Sequence, residues 1–220
     1  MKRGKLFYAS RPFVRLAVGR WSVRVEPPRG PTVYVCSHGN MAGPLVTQCA
    51  LPFPTRPWVL HMFLDREGCR RQYRDFTFTR RFGMPRPAAA LLAWAVSGYV
   101  SALVRSVGAI PVYRGSARLR ETFQRTVEAL QAGDCVAVFP DVDYTDRSGA
   151  MGEMYDGFLL IDRFWRRFSD APLAFVPLRL DRTTRHIASG EAVYFDRTAP
   201  RRQETVRVRE ALLRGLNGER

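Results

Sequence analysis

Three apolar runs in this sequence end in residues that can do chemistry. Val35-Cys36-Ser37 runs into His38, Ile110-Pro111-Val112-Tyr113 runs into Arg114, and Val138-Phe139-Pro140 runs into Asp141. A histidine can exchange a proton near neutral pH. An arginine can hold a phosphate or carboxylate through two parallel N–H bonds. An aspartate can orient a histidine or form a turn. Together these three residues form the candidate site. His38 lies in VCSHGNMAGP, and no acid follows it within that stretch. A histidine base ordinarily has a carboxylate to orient it, so what holds His38 is the first question the sequence raises.

The surrounding elements explain why these residues stand at strand ends. Thr32–Ser37, Trp58–Leu64, Ala109–Tyr113, Cys135–Phe139, Pro172–Leu180 and Ala192–Phe195 read as strands. Pro111 confines its strand to an edge or an irregular end. Helices are expected over 88–107, from Ser116 to a stop at Gly133, over 153–168, and from Pro200 to about Leu216. Strand and helix alternate without a repeat or linker. That predicts a single α/β domain with a central, largely parallel mixed sheet flanked by helices. In such sheets ligands gather beyond the carboxyl ends of the strands, where His38, Arg114 and Asp141 lie.

Length and composition bound the rest. A chain of 220 residues with 46% hydrophobic content supports one well-buried domain. Residues 1–20 form a basic and apolar segment, read either as a helix on a membrane surface or as a packing helix, and 21–220 form the domain. Arginines interrupt the apolar stretches of this segment, so it does not read as a signal peptide. Ala88–Val104 carries no charge over seventeen residues. It is short for a membrane span and reads as a buried helix, or one partly sunk in a membrane face. The four cysteines form no CxxC pair, which indicates buried, reduced thiols rather than a metal or disulfide framework. The net charge of +15 favours anionic partners. Nucleic acid is disfavoured, because the arginines are spread along the chain with no recognisable recognition motif. An α/β-hydrolase is disfavoured by the absence of a G-x-S-x-G elbow.

Several motifs fall in a definite order: His38 after its strand, then GAIPVYRG (108–115), Phe139-Pro140-Asp141, DRSG (146–149), Tyr155-Asp156-Gly157, Val176-Pro177-Leu178 and Gly190-Glu191-Ala192. This order resembles the glycerolipid acyltransferase family, represented by the 1-acylglycerol-3-phosphate acyltransferases, over roughly residues 20 to 215. The family's signatures are H-x-x-x-x-D, G-x-I-P-V-x-R, F-P-E-G and a V-P strand. The resemblance implies transfer of a fatty acyl group from acyl-CoA or acyl-carrier protein to a hydroxyl of a lysophospholipid or glycerol phosphate. It implies no cofactor beyond the acyl donor and no metal. It makes His38 the base. It places Arg114, Gly115, Asp141, Arg147 and Ser148 at the acceptor, with Arg114 and Arg147 on phosphate and Asp141 in the place of the family's Glu. It also implies a cytoplasmic protein at the inner face of the membrane. Its partners would be anionic membrane, a phosphorylated lipid acceptor and acidic acyl-carrier protein.

The sequence departs from the family on the reacting side. Gly43 stands where the family has its Asp, and Val142 where it has the glycine of F-P-E-G. In a well-studied dyad, losing the orienting acid costs on the order of 10⁴ in rate. Three arrangements answer to this: a carboxylate from Asp141, Asp143 or Asp146 reaches His38; a backbone carbonyl orients the ring; or acyl transfer is lost and lipid binding kept.

Overall fold

The computed structural model describes residues 3–39, 41–142 and 151–218. Its strands are β1 (Ser22–Arg24), β2 (Thr32–Cys36), β3 (Thr55–Leu60), β4 (Ile110–Val112), β5 (Cys135–Val138), β6 (Ala174–Asp181) and β7 (His186–Ser189). Its α-helices are α1 (Lys5–Val18), α2 (Ala42–Ala50), α3 (Arg66–Gln72), α4 (Arg86–Ser106), α5 (Leu119–Gln131), α6 (Leu160–Trp165) and α7 (Arg201–Asn217). The strand order is β1-β7-β6-β2-β5-β3-β4. Every pairing is parallel except β6 with β7, so the class is the expected α/β with a largely parallel mixed sheet.

The chain forms two compact units. The first comprises Arg11–Pro57 with Phe123–Arg220. At its centre β2 and β5 read TVYVC and CVAV, and every residue in both is buried, as parallel strands covered on both faces require. Tyr34, Cys36, Val46, Leu178 and Ile187 make its core. The second unit comprises Lys2–Ser10 with Trp58–Thr122. Here Trp58–Leu60 of β3 pair with β4, and Phe78, Ala89 and Ala93 form a small core. Asp65 caps α3 by accepting the Gly68 N–H at 2.7 Å. The chain then continues through a π-helical stretch, Tyr73–Arg81, before α4.

Some expected elements differ, for local reasons. The helix expected over 153–168 is α-helical only at Leu160–Trp165. The segment before it is tied elsewhere: the Val142 N–H donates to the Glu153 carbonyl at 3.1 Å and the Tyr155 N–H to the Pro140 carbonyl at 2.8 Å. Of the strand expected at 192–195, Val193 alone pairs, with Phe175. The strand beside β6 is instead His186–Ser189, brought round by a turn in which Asp181 Oδ1 accepts the N–H groups of Thr183 and Thr184 at 2.9 and 3.1 Å. Pro111 does sit in a strand at the end of the order.

Candidate active site

The register of the central strands builds the cluster in the first unit. Val35 of β2 is level with Val138 of β5, an offset of 103 residues. Both strands are parallel, so their carboxyl ends leave the sheet on the same edge, and the same offset brings His38 alongside Asp141. The Asp141 carboxylate accepts the His38 main-chain N–H at 2.7 Å through Oδ2 and the Ser37 hydroxyl at 2.9 Å through Oδ1. Asp141 is buried, at 9% exposure, and its own main chain is fixed by an antiparallel bridge to Met154. The His38 ring meets the Phe139 ring edge-on, with centroids 6.1 Å apart.

The turn after His38 is tight. Gly39 and Met41 both have positive φ, 46° and 78°, and Met41 is a strained residue for that conformation. The Gly43 N–H donates to the His38 carbonyl at 3.1 Å, starting α2. Packing at Gly43 leaves no room for a side chain: a Cβ there would lie 1.8 Å from the Ser37 carbonyl oxygen. The acid of the family motif is therefore excluded by this backbone as well as missing from the sequence.

The ring of His38 has its own constraint. The Met41 N–H points at Nδ1 from 3.2 Å. A backbone N–H can only donate, so Nδ1 accepts, and in the neutral ring the proton sits on Nε2. A carboxylate-oriented base has the opposite arrangement, with Nδ1–H donating to the acid and Nε2 bare. Asp141 thus positions the backbone on which His38 sits and leaves Nδ1 to Met41. Cys36, two residues before His38, is no alternative nucleophile, because burial first and the nearby Asp141 charge second push its thiol well above the ordinary range.

The second unit holds the other motif. Arg114 and Gly115 follow β4 in an exposed turn, and Gly115 has a φ of 64°, which favours glycine there. Tyr113, just before, stacks on His61 with centroids 4.9 Å apart. Its hydroxyl accepts from Arg118 at 2.8 Å. His61 follows β3, and its Nδ1 donates to the Val112 carbonyl at 3.3 Å. A carbonyl can only accept, so the neutral His61 ring carries its proton on Nδ1 and leaves Nε2 bare. None of the motifs in the sequence marks His61, although its signal is the one that marks His38: an apolar strand, WVL, ending in histidine.

The expected acceptor residues Arg147 and Ser148, with Asp143 and Asp146, lie outside the described residues. Among the described residues no group of His, Cys, Asp and Glu side chains is arranged to hold a metal ion. A cleft of about 200 Å³ in the first unit is lined by residues that include Arg15, Trp21, Val46 and Cys49. None of Ser37, His38 and Asp141 lines it.

No family model matches the sequence, and no curated protein is significantly similar to it. Among solved structures, the fold is similar to the crystal structure of the 1-acyl-sn-glycerophosphate (LPA) acyltransferase PlsC from Thermotoga maritima. The TM-score is 0.52 at 14% identity, over 96% of this chain and 79% of that one. At that identity the likeness is one of fold, an α/β layered sheet of the PlsC type, and activity has to be argued from the residues.

Proposed function

We propose that the chain is a divergent glycerolipid acyltransferase. It would move a fatty acyl group from acyl-CoA or acyl-carrier protein to a hydroxyl of a lysophospholipid or glycerol phosphate. The observation that carries this reading is the pairing of His38 with Asp141 beyond adjacent strands β2 and β5, in a PlsC-like fold whose motifs run in the family's order. In the reaction the acceptor oxygen bonds to the thioester carbonyl carbon and the C–S bond breaks. The hydroxyl proton passes through the base to the departing thiolate, giving an ester and a thiol. His38 serves as base, held by Asp141 through its main chain. Arg114, with Gly115 setting its turn, is assigned to the acceptor's phosphate, and Arg147 and Ser148 keep the supporting role the resemblance implies. The surplus of arginine would draw CoA, an acidic carrier protein or the anionic inner face of the cell membrane.

A second reading is favoured by two observations. Nδ1 of His38 already accepts the Met41 N–H, and Gly43 has no space for an acid. To take a proton on Nε2, the ring must change tautomer and give up that N–H. A domain that does not do so binds phosphorylated lipid without turning it over.

One assay separates the two. Acyl transfer to lysophosphatidic acid is measured with acyl-CoA and with acyl-carrier protein, for wild type and for His38→Ala. The enzyme reading expects a clear wild-type rate that His38→Ala reduces by about 10² to 10⁴. Equal residual rates in both proteins, with lipid binding intact, would establish the silent form.

A further inference from the structure

The second unit reverses the usual arrangement of an amphipathic helix. In α4 the inward stripe, at intervals of four, is Ala89, Ala93, Ser97 and Ser101, all 0–1% exposed. The outward face carries the bulky apolar groups: Leu91, Leu92, Trp94 and Tyr99 are 38–70% exposed. Over an 18-residue window the mean hydropathy is 1.6, and 22% of that window is buried. A core helix of such composition would be covered by protein, whereas this one leaves its bulky apolar residues Leu91, Leu92, Trp94 and Tyr99 exposed. Phe82, just before α4, is also exposed; it stacks on Phe78, which packs with Ala89 and Ala93.

Arginines dominate the sequence around this face, with Asp75 the acid that lies near Arg80 and Arg86. From Phe76 to Arg120 the sequence has seven arginines and no acid. Arg80 and Arg81 precede α4, Arg86 begins it, and Arg105 lies in its last turn, so cations stand at both ends of the apolar stretch. An apolar stripe bordered by arginines matches the boundary between acyl chains and anionic headgroups. Trp94 supplies the amphipathic ring that anchors at that depth. A full span does not fit, because the Ala/Ser stripe is occupied within the unit and the Tyr99 hydroxyl is tied to Ser10 Oγ at 2.8 Å. Only one side of the helix is available to lipid.

We propose that the outward face of α4 is the membrane-docking surface, lying in the plane of an anionic leaflet with Trp94 and Leu91 inserted. This assigns docking to a helix between β3 and β4, one of the two segments, 1–20 and 88–104, for which the sequence left a place at the membrane face open. It stands without the acyl-transfer reading, since a silent lipid-binding domain would dock in the same way.

The test uses the full chain and vesicles of phosphatidylcholine with and without phosphatidylglycerol. Wild type is expected to float with the anionic vesicles and to release them as salt rises. Leu91→Glu and Trp94→Glu should each weaken partition by roughly tenfold or more. Phe168→Glu, at an exposed aromatic of the other unit, should not, and neither should Leu16→Glu in α1. Trp94→Phe should keep binding but lose most of the tryptophan quenching caused by lipids brominated near the headgroup. Wild-type flotation by both α4 variants would overturn the proposal. So would loss confined to Leu16→Glu, equal binding to neutral vesicles, or quenching strongest from the bilayer centre. Transfer to a short-chain, water-soluble acceptor separates docking from chemistry. The α4 variants should keep whatever rate wild type has there, whereas His38→Ala should lose it if the enzyme reading holds.

Discussion

Asp141 holds His38 by the backbone: its carboxylate takes the His38 main-chain N–H at 2.7 Å and the Ser37 hydroxyl at 2.9 Å. This fixes where the strand end points without setting the state of the imidazole. Truncation to Asp141→Ala leaves the His38 N–H without its acceptor, a loss of about 1–3 kcal/mol. Thermal unfolding should then fall by roughly 2–10 °C for a chain of this size. Asp141→Asn should be milder. Its amide oxygen can accept the His38 N–H, while the Ser37 hydroxyl turns round to accept from the amide nitrogen. Equal melting temperatures for Asp141→Ala and wild type would show that the carboxylate does not hold this turn.

Strand ends were legible in the sequence because β2 and β5 are short runs of buried apolar residues, and residues just past such runs lie at the ligand edge. The pairing of His38 with Asp141 was legible only as one alternative among three carboxylates. That Asp141 stands beside His38 depends on the register of β2 against β5, and no local pattern encodes an offset between strands a hundred residues apart; Asp143 and Asp146 lie outside the described residues. The atom through which Asp141 acts was hidden too, since a carboxylate near a histidine reads equally as a partner of its ring or of its backbone. The helix over 153–168 failed because its first residues are claimed by Pro140–Val142, a tertiary pairing that overrides local helical periodicity.

Gly43 gives a direct test of whether the missing acid is a simple deletion. A Cβ there would stand 1.8 Å from the Ser37 carbonyl oxygen, so Gly43→Ala must displace backbone. The cost of such overpacking is about 1–3 kcal/mol, seen as a lower melting temperature. Gly43→Asp restores the family residue in sequence, yet it is expected to destabilise at least as much and to raise no activity. A Gly43→Asp protein that melts with wild type and transfers acyl groups faster would show that the turn can accept the family's geometry.

A separate prediction concerns acid stability in the first unit. The Glu204 carboxylate accepts from Arg207 Nε and Nη2 and from the Asp196 N–H, each at 2.7 Å. The Arg207 hydrogen bond is the main reason its pKa lies below the ordinary carboxylate value. A group depressed on folding stabilises above its unfolded pKa, about 4.3 for Glu, and that stability is lost as pH falls through the folded value. The melting-temperature gap between wild type and Glu204→Gln should therefore be widest near neutral pH and close as the solution is acidified below about pH 4. A gap that stays constant into acid would mean the ion pair is not what Glu204 contributes. Half-exposed Arg207 also makes the gap shrink with salt.

The two strand-end histidines make the most discriminating prediction, because hydrogen-bond direction fixes their tautomers in opposite senses. His38 Nδ1 faces an N–H of Met41 and must accept, whereas His61 Nδ1 faces the Val112 carbonyl and must donate. Above the ordinary histidine range, at about pH 8, long-range ¹H–¹⁵N correlation spectra should show His38 protonated on Nε2 and His61 on Nδ1. His38→Gln and His61→Gln assign the two signals. If His38 is a working base, adding an acceptor lipid should move its proton from Nε2 to Nδ1, leaving Nε2 to face the hydroxyl. The Met41 amide should shift as it loses its partner. A His38 ring that keeps its Nε2 proton with acceptor bound cannot act as base through Nε2, and would favour the silent lipid-binding form. A ring already protonated on Nδ1 in the free protein would instead refute the Met41 contact and return His38 to the family's ordinary arrangement.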